Sequence, residues 1–237
     1  MATKPRFFDP HLYYHIYNCG VEKRNLFVAE NDWSHFLETI DFYLYSQCIG
    51  FASFRRLDEE TKRIYIRRHP RSPENLRVKI AAYCLMPNHF HFLIKPIEED
   101  GITRFISDIS NSHARYFNIK NERIGSLFQG PFKSKEILSE ESLLQVSRYI
   151  HLNPVASLKT NPDGMLKPED YPYSSYTNWV SEKKLKGLFT VNWDEVSKWV
   201  NLAGGAEKYR KFVESKMDTD SSRGIENLIL EEAPRWS

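Results

Sequence analysis

Long apolar runs are absent from this 237-residue sequence. No stretch approaches the ~18 consecutive apolar residues that a membrane-spanning helix needs, so no such helix is expected. The charged start, Met1 to Arg6, has no apolar run behind it, so it does not read as a secretory signal. Cysteine is scarce: Cys19, Cys48 and Cys84 are scattered, odd in number and without C-x-x-C spacing. That excludes a zinc ribbon and fits a reducing, cytoplasmic setting. There is no internal repeat and no low-complexity tract. Net charge is only +2, too small to identify a partner.

What is present is ordinary for a globular chain. Hydrophobic residues make up 41% and charged residues 27%, which excludes wholesale disorder and a fibrous repeat. The length suits one domain with an extension, or two small ones, with a core that needs no disulfide or structural metal. Charge is unevenly spread. Nine basic residues fall between Arg55 and Lys79, among them Arg55, Arg56, Arg67 and Arg68, against four acids. Such a stretch fits either a solvated Arg-rich hairpin or a grip on a phosphate backbone.

The patterning alternates strands and helices. Tyr13 to Val21 reads as a strand, and Trp33, Phe36, Leu37, Ile40 and Leu44 give a helix to about Ser46, capped from Asn31-Asp32. Ile49–Arg56 and Lys62–Arg68 read as two strands around a polar turn. Val78–Met86 and Phe90–Lys95 are apolar strands around a Pro87-Asn88 turn. A helix starts near Gly101, and a short strand follows near Phe132–Ile137. Ser139 caps a further helix with Glu140 and Glu141 in its first turn, which Pro154 ends or kinks. Trp179, Trp193 and Trp199 lie in a segment expected to be helical. Asp218–Arg223 is a polar break, and the last dozen residues read as a loosely held tail. This order predicts an α+β class with an antiparallel sheet, to which a split βαβ topology is one solution.

Two segments carry candidate chemistry. In Leu85-Met86-Pro87-Asn88-His89-Phe90-His91-Phe92 the histidines are two apart, so on a strand they share a face while Phe90 turns into the core. Paired imidazoles are plausible metal ligands, and read alone the pair equally fits two strand histidines facing solvent. In Arg148-Tyr149-Ile150-His151-Leu152-Asn153-Pro154-Val155, helical spacing puts Gln145, Tyr149 and Asn153 on one face beside the apolar stripe. Read alone, Tyr149 also fits a tyrosine that packs its ring and wets its hydroxyl.

Together these segments resemble the single-tyrosine HUH transposases, and within them the REP-associated tyrosine transposases. The resemblance also rests on Ala114-Arg115-Tyr116-Phe117-Asn118, on Gly125-Ser126-Leu127-Phe128-Gln129-Gly130-Pro131-Phe132-Lys133-Ser134, and on Tyr171-Pro172-Tyr173-Ser174-Ser175-Tyr176. It runs in order from about Tyr13 to Tyr176. The chain departs from the group in a longer stretch over 49–77, and in Gly130-Pro131-Phe132 where the group often has an arginine before the phenylalanine.

The resemblance implies a ferredoxin-like HUH nuclease fold over 1–185, with 49–77 a basic insertion and 186–237 a helical extension and tail. It implies an IS200-like transposase that nicks single-stranded hairpin or repeat DNA and transfers the strand. Tyr149 would be the nucleophile, forming a 5′-phosphotyrosine link, and His89, His91 and Asn153 would hold Mg²⁺ or Mn²⁺. Arg115, Gln129, Lys133 and Lys135, with Arg55, Arg56, Arg67 and Arg68 of the basic stretch, are candidate DNA contacts. His113 and His151 are expected to be structural or DNA-facing, and His15 to be a packed histidine. A bacterial, cytoplasmic, nucleoid-associated protein is implied, without a membrane partner. Homodimer and monomer both stay open. The alternative is a domesticated hairpin-binding protein without cleavage activity.

Overall fold

The computed structural model describes residues 6–157, 167–181, 191–217 and 227. Four strands form one sheet: β1 (Tyr13–Cys19), β2 (Val78–Met86), β3 (His89–Pro96) and β4 (Lys133–Ile137). Their order is β2-β3-β1-β4, and each neighbouring pair is antiparallel. Helix α1 (Glu30–Tyr43) therefore joins β1 to β2 across β3, and α4 (Gly101–Lys120) joins β3 to β4 across β1. Two interlocked split βαβ units make this the expected ferredoxin-like α+β arrangement.

Strand alternation sends the two sheet faces to different helices. On one face Phe90 meets Phe36 of α1 and Phe92 meets Phe105 of α4. The other face presents His89, His91 and their cross-strand partners Cys19 and Tyr17 to α5 (Glu140–Ser157). Asp32 ties the α1/α4 layer together. Its carboxylate accepts the Val28 and Ala29 N–H groups at the start of α1, and on α4 it takes the Tyr116 hydroxyl at 3.0 Å and the Lys120 ammonium. Those bonds hold its pKa at about 2, against the opposing effect of burial. Asp32 thus sits three residues inside the helix as its capping carboxylate, and Ala29 is the N-cap.

The two strands expected at 49–68 are helices instead. They are α2 (Phe51–Arg56) and α3 (Glu59–Arg68), so the basic insertion is a helical hairpin. The helix signature is complete in α3: Asp58 Oδ1 accepts the Thr61 N–H at 2.8 Å, Glu59 and Glu60 fill the first turn, and Arg67 and Arg68 the last. Phe51 and Phe54 of α2 and Tyr65 of α3 anchor the hairpin inward against Phe42 of α1, through ring contacts. Pro154 does not end α5, which continues to Ser157. Ser139 caps that helix as expected, accepting the Ser142 N–H at 3.1 Å.

Among the described residues three further helices follow: α6 (Tyr176–Val180), α7 (Trp193–Leu202) and α8 (Ala206–Glu214). Trp199, Tyr209 and Val213 are buried in the same core as the sheet. Trp199 Nε1 donates to Tyr13 Oη on β1, and Trp179 Nε1 donates to the Ala81 carbonyl on β2. The polar break at Asp218–Arg223 and the last ten residues, where a loose tail is expected, lie outside the described residues. Among the described residues no helix is long and apolar enough to cross a membrane.

Two buried histidines of the α1/α4 layer make the fold acid-sensitive. Burial lowers both His35 and His113 to about 4; each also faces Asp32, which opposes the shift, and His35 further faces His113 and Arg55. Both are neutral in the folded chain and take up a proton on unfolding below their ordinary value of about 6.5. Stability should therefore fall as pH drops from about 6.5 towards 4, by about 1–2 kcal/mol for each histidine at pH 5. Urea midpoints measured from pH 7 to pH 5 test this, and a flat profile would contradict it.

Candidate active site

The His89 and His91 rings are presented from the centre of the sheet because β3 runs between β1 and β2. His91 is fully buried and His89 is 9% exposed. Helix α5 lies over them and brings Tyr149 and Asn153, one turn apart, onto the same spot. His89 Nε2 is 3.1 Å from Asn153 Oδ1, and His91 Nε2 is 3.3 Å from Asn153 Nδ2. The Tyr149 ring stands edge-on to His91 at 5.5 Å between centroids and to His15 at 6.0 Å. All four expected site residues of one chain thus meet at one point.

The outer nitrogens are also engaged. His91 Nδ1 is 2.9 Å from His15 Nε2, and His89 Nδ1 is 2.7 Å from Asn88 Oδ1. An Nδ1–H donated to Asn88 leaves His89 Nε2 presenting a lone pair towards the Asn153 oxygen. A cation between those atoms would satisfy both, and His91 offers a third donor atom alongside. Orienting partners on the far ring nitrogens are the usual support for histidine ligands. The donor set fits a divalent cation. Among the described residues no three His, Cys, Asp or Glu side chains form such a site, so the amide of Asn153 is needed to complete it.

Access is narrow. Tyr149 is 3% exposed and Asn153 4%. A phosphodiester reaches the phenol only when α5 shifts or the Tyr149 ring turns out from between His15 and His91. Tyr17 is the more open tyrosine. Half-buried, it lies opposite His91 on β1, its ring 5.0 Å from His91 and 5.7 Å from His89.

Pattern reading undervalued His15 and Tyr17. They alternate along β1 as His89 and His91 do along β3, but β1 lies beside β3 only through the sheet topology. His15 is packed, as expected, and it also orients His91. His113 and His151 are structural. His113 Nε2 donates to the Leu26 carbonyl at 2.9 Å. His151 is fully buried, with Nδ1 2.8 Å from Tyr209 Oη and Nε2 2.9 Å from Ser175 Oγ. Tyr209 Oη also lies 2.9 Å from Ser147 Oγ. The network clamps α5 to α8 on both sides of Tyr149 in sequence. Tyr209→Phe should strip both bonds and destabilise the fold by about 1–3 kcal/mol, read from urea unfolding; an unchanged midpoint would contradict the clamp.

The candidate DNA contacts divide into groups. Lys133 and Lys135 project from β4 on the histidine face, opposite Tyr17 and His15 respectively. Gln129 accepts from Cys19 Sγ at 2.8 Å, next to His89 across the sheet. Arg55, Arg56 and Arg115 gather on the other face, around one cavity between α1, α2 and α4. Arg67 and Arg68 are exposed at the end of α3 and join neither group.

Residues 55–153 match the family profile described as "Transposase IS200 like". Over that span the chain is similar to the IS200-like transposases. The matched span opens in the helical insertion and closes on Asn153, so it contains the histidine pair and Tyr149 and excludes β1 and α6–α8. No curated protein matches the sequence. A solved structure described as "Structure of the REP associates tyrosine transposase bound to a REP hairpin" aligns with 79% of this chain and 90% of its own. Its identity is 15% and its TM-score 0.48.

Proposed function

We propose that this chain is a metal-dependent single-strand DNA endonuclease and strand transferase of the IS200-like, REP-associated kind, acting on hairpin or repeat DNA in transposition. The observation that carries the reading is the convergence of both histidine Nε2 atoms on Asn153, one helical turn from Tyr149. Tyr149 Oη attacks the scissile phosphorus, forming a P–O bond to the phenol and breaking the bond to the 3′-oxygen. The phenol loses its proton and the departing 3′-oxygen gains one. The products are a 5′-phosphotyrosine and a free 3′-hydroxyl. A phenol of pKa about 10 is a good leaving group, so the link is readily passed to another 3′-end.

His89, His91 and Asn153 would hold Mg²⁺ or Mn²⁺, which when bound polarises the scissile phosphate and stabilises the leaving oxygen. His15 and Asn88 fix the ring orientations. Lys133 and Lys135 lie where they would draw the DNA backbone along the β4 edge, beside Gln129. Holding nucleophile and ligand on one helix matters because misplacement by about 1 Å costs about 100-fold in rate. The reading describes a protein working at the nucleoid, in the cytoplasm.

The enclosure of Tyr149 favours a second reading, a hairpin-binding protein that does not cleave. Incubation with labelled single-stranded hairpin DNA and Mn²⁺, followed by a denaturing protein gel, separates the two. A band at protein-plus-DNA mass, absent with chelator, is expected for the nuclease. Salt-sensitive binding without a band would leave the binder.

A further inference from the structure

The α1/α4 layer carries a second concave site on the sheet face away from the histidines. A cavity of about 530 Å³ opens between α1, α2 and α4, a volume within the roughly 300–1,000 Å³ of small-ligand sites. Its wall is aromatic. The His35 and Tyr116 rings lie parallel at 3.8 Å, and Phe51 meets His35 at 5.5 Å. Its rim is cationic, with Arg55, Arg56, Arg115 and Lys120. Lys120 is engaged by Asp32, and Arg55 approaches Glu38 at 3.7 Å. Among the described residues Arg56 and Arg115 have no ion-pair partner, and Asp108 in the wall is taken up by Arg77 at 2.6 Å.

A polar atom waits in the same wall. His35 is nine-tenths buried, and its Nδ1 has no hydrogen-bond partner. Burial keeps the ring neutral, so it offers an uncharged bond to a ligand rather than a like charge to the arginines. A second cavity of about 310 Å³ adjoins the first at Asn111, which lines both. It passes Ser110, whose buried Oγ also lacks a partner, and reaches Asn18 and Gly130. Asn18 precedes Cys19, the strand partner of His89, and Gln129 bonds Cys19. The second cavity therefore ends at Asn18 and Gly130, one residue in sequence from Cys19 and Gln129 on the histidine side of the sheet.

We propose that the Arg56–Arg115 cavity holds one unpaired nucleotide of the DNA strand that Tyr149 cuts, its base against the Tyr116–Phe51 wall and its phosphate on the two arginines. This rests on the nuclease reading above. Aromatic walls accept any base by stacking, and guanidinium groups match phosphate oxygens in pairs. A free nucleoside monophosphate has the same chemistry. The adjoining cavity, which ends one residue from Cys19 and Gln129, gives the chain of a strand room to continue and favours a nucleotide within a strand.

The test compares the unchanged chain with the double variant Arg56→Ala, Arg115→Ala, both positions being exposed. Fluorescence anisotropy measures Kd for a hairpin with unpaired flanks and for the same hairpin blunt-ended, and 2-aminopurine in the flank reports stacking. The unchanged chain should prefer the flanked hairpin and quench the probe. The variant should lose about 10-fold or more for the flanked DNA, lose the preference, and relieve the quenching. An equal loss for flanked and blunt DNA, no loss, or no DNA binding by the unchanged chain would overturn the proposal. So would arginine-dependent binding of a nucleoside monophosphate without arginine-dependent binding of the flank. Failure of the cleavage reading shows separately, as flank-dependent binding by a chain that forms no covalent adduct.

Discussion

Tyr149→Phe should form no covalent DNA adduct while still binding hairpin DNA. The phenylalanine ring fills the same space edge-on to His91 and His15, so the fold and the histidine pair should stay in place. What is removed is the oxygen that forms the bond to phosphorus, so the loss should be complete within detection, on the order of 10³-fold or more. Tyr17→Phe is the necessary comparison, because Tyr17 is more exposed and as close to both histidines. It should keep its adduct. If Tyr149→Phe were labelled by DNA and Tyr17→Phe were not, β1 rather than α5 would supply the nucleophile.

The second large effect is expected at His91. Its Nε2 faces Asn153 and its Nδ1 faces His15, so removing the ring deletes a donor atom and leaves His15 without its buried partner. His91→Ala should abolish Mn²⁺-dependent adduct formation, with no recovery as Mn²⁺ is raised. His15→Gln should act one step further out: a loss of about 10–100-fold in apparent metal affinity, recovered at higher Mn²⁺. Titrating Mn²⁺ against adduct yield for both variants separates ligand from orienting residue. A His91→Ala protein that still forms a chelator-sensitive adduct would contradict the ligand assignment.

The centre of the site was legible because two periodicities are short-range. Period two puts His89 and His91 on one strand face, and spacing four puts Tyr149 and Asn153 on one helix face; both hold in the structure. Their partners were not legible, since they depend on contacts between distant segments. His15 and Tyr17 meet β3 only because β1 lies between β3 and β4. Tyr209 meets His151 only because α8 folds back onto α5. The basic stretch was misread for a different reason. Ile64, Tyr65 and Ile66 favour strand locally, but Asp58 with Thr61 closes a helical cap, and the stretch covers only the margin of the core, where capping and end charges decide. Pro154 removes the N–H that would bond the Ile150 carbonyl, but it falls in the last turn of α5, so one lost bond near the end does not stop the helix before Ser157.

The deciding measurement is to digest the adduct formed with hairpin DNA and Mn²⁺ and locate the nucleotide by tandem mass spectrometry. The predicted result is a 5′-phosphate carried on the peptide that contains Arg148-Tyr149-Ile150, at the phenol oxygen, with no adduct formed when chelator is added before the DNA. A nucleotide on Tyr17 or any other residue, or no adduct from a chain that binds the hairpin, would contradict it.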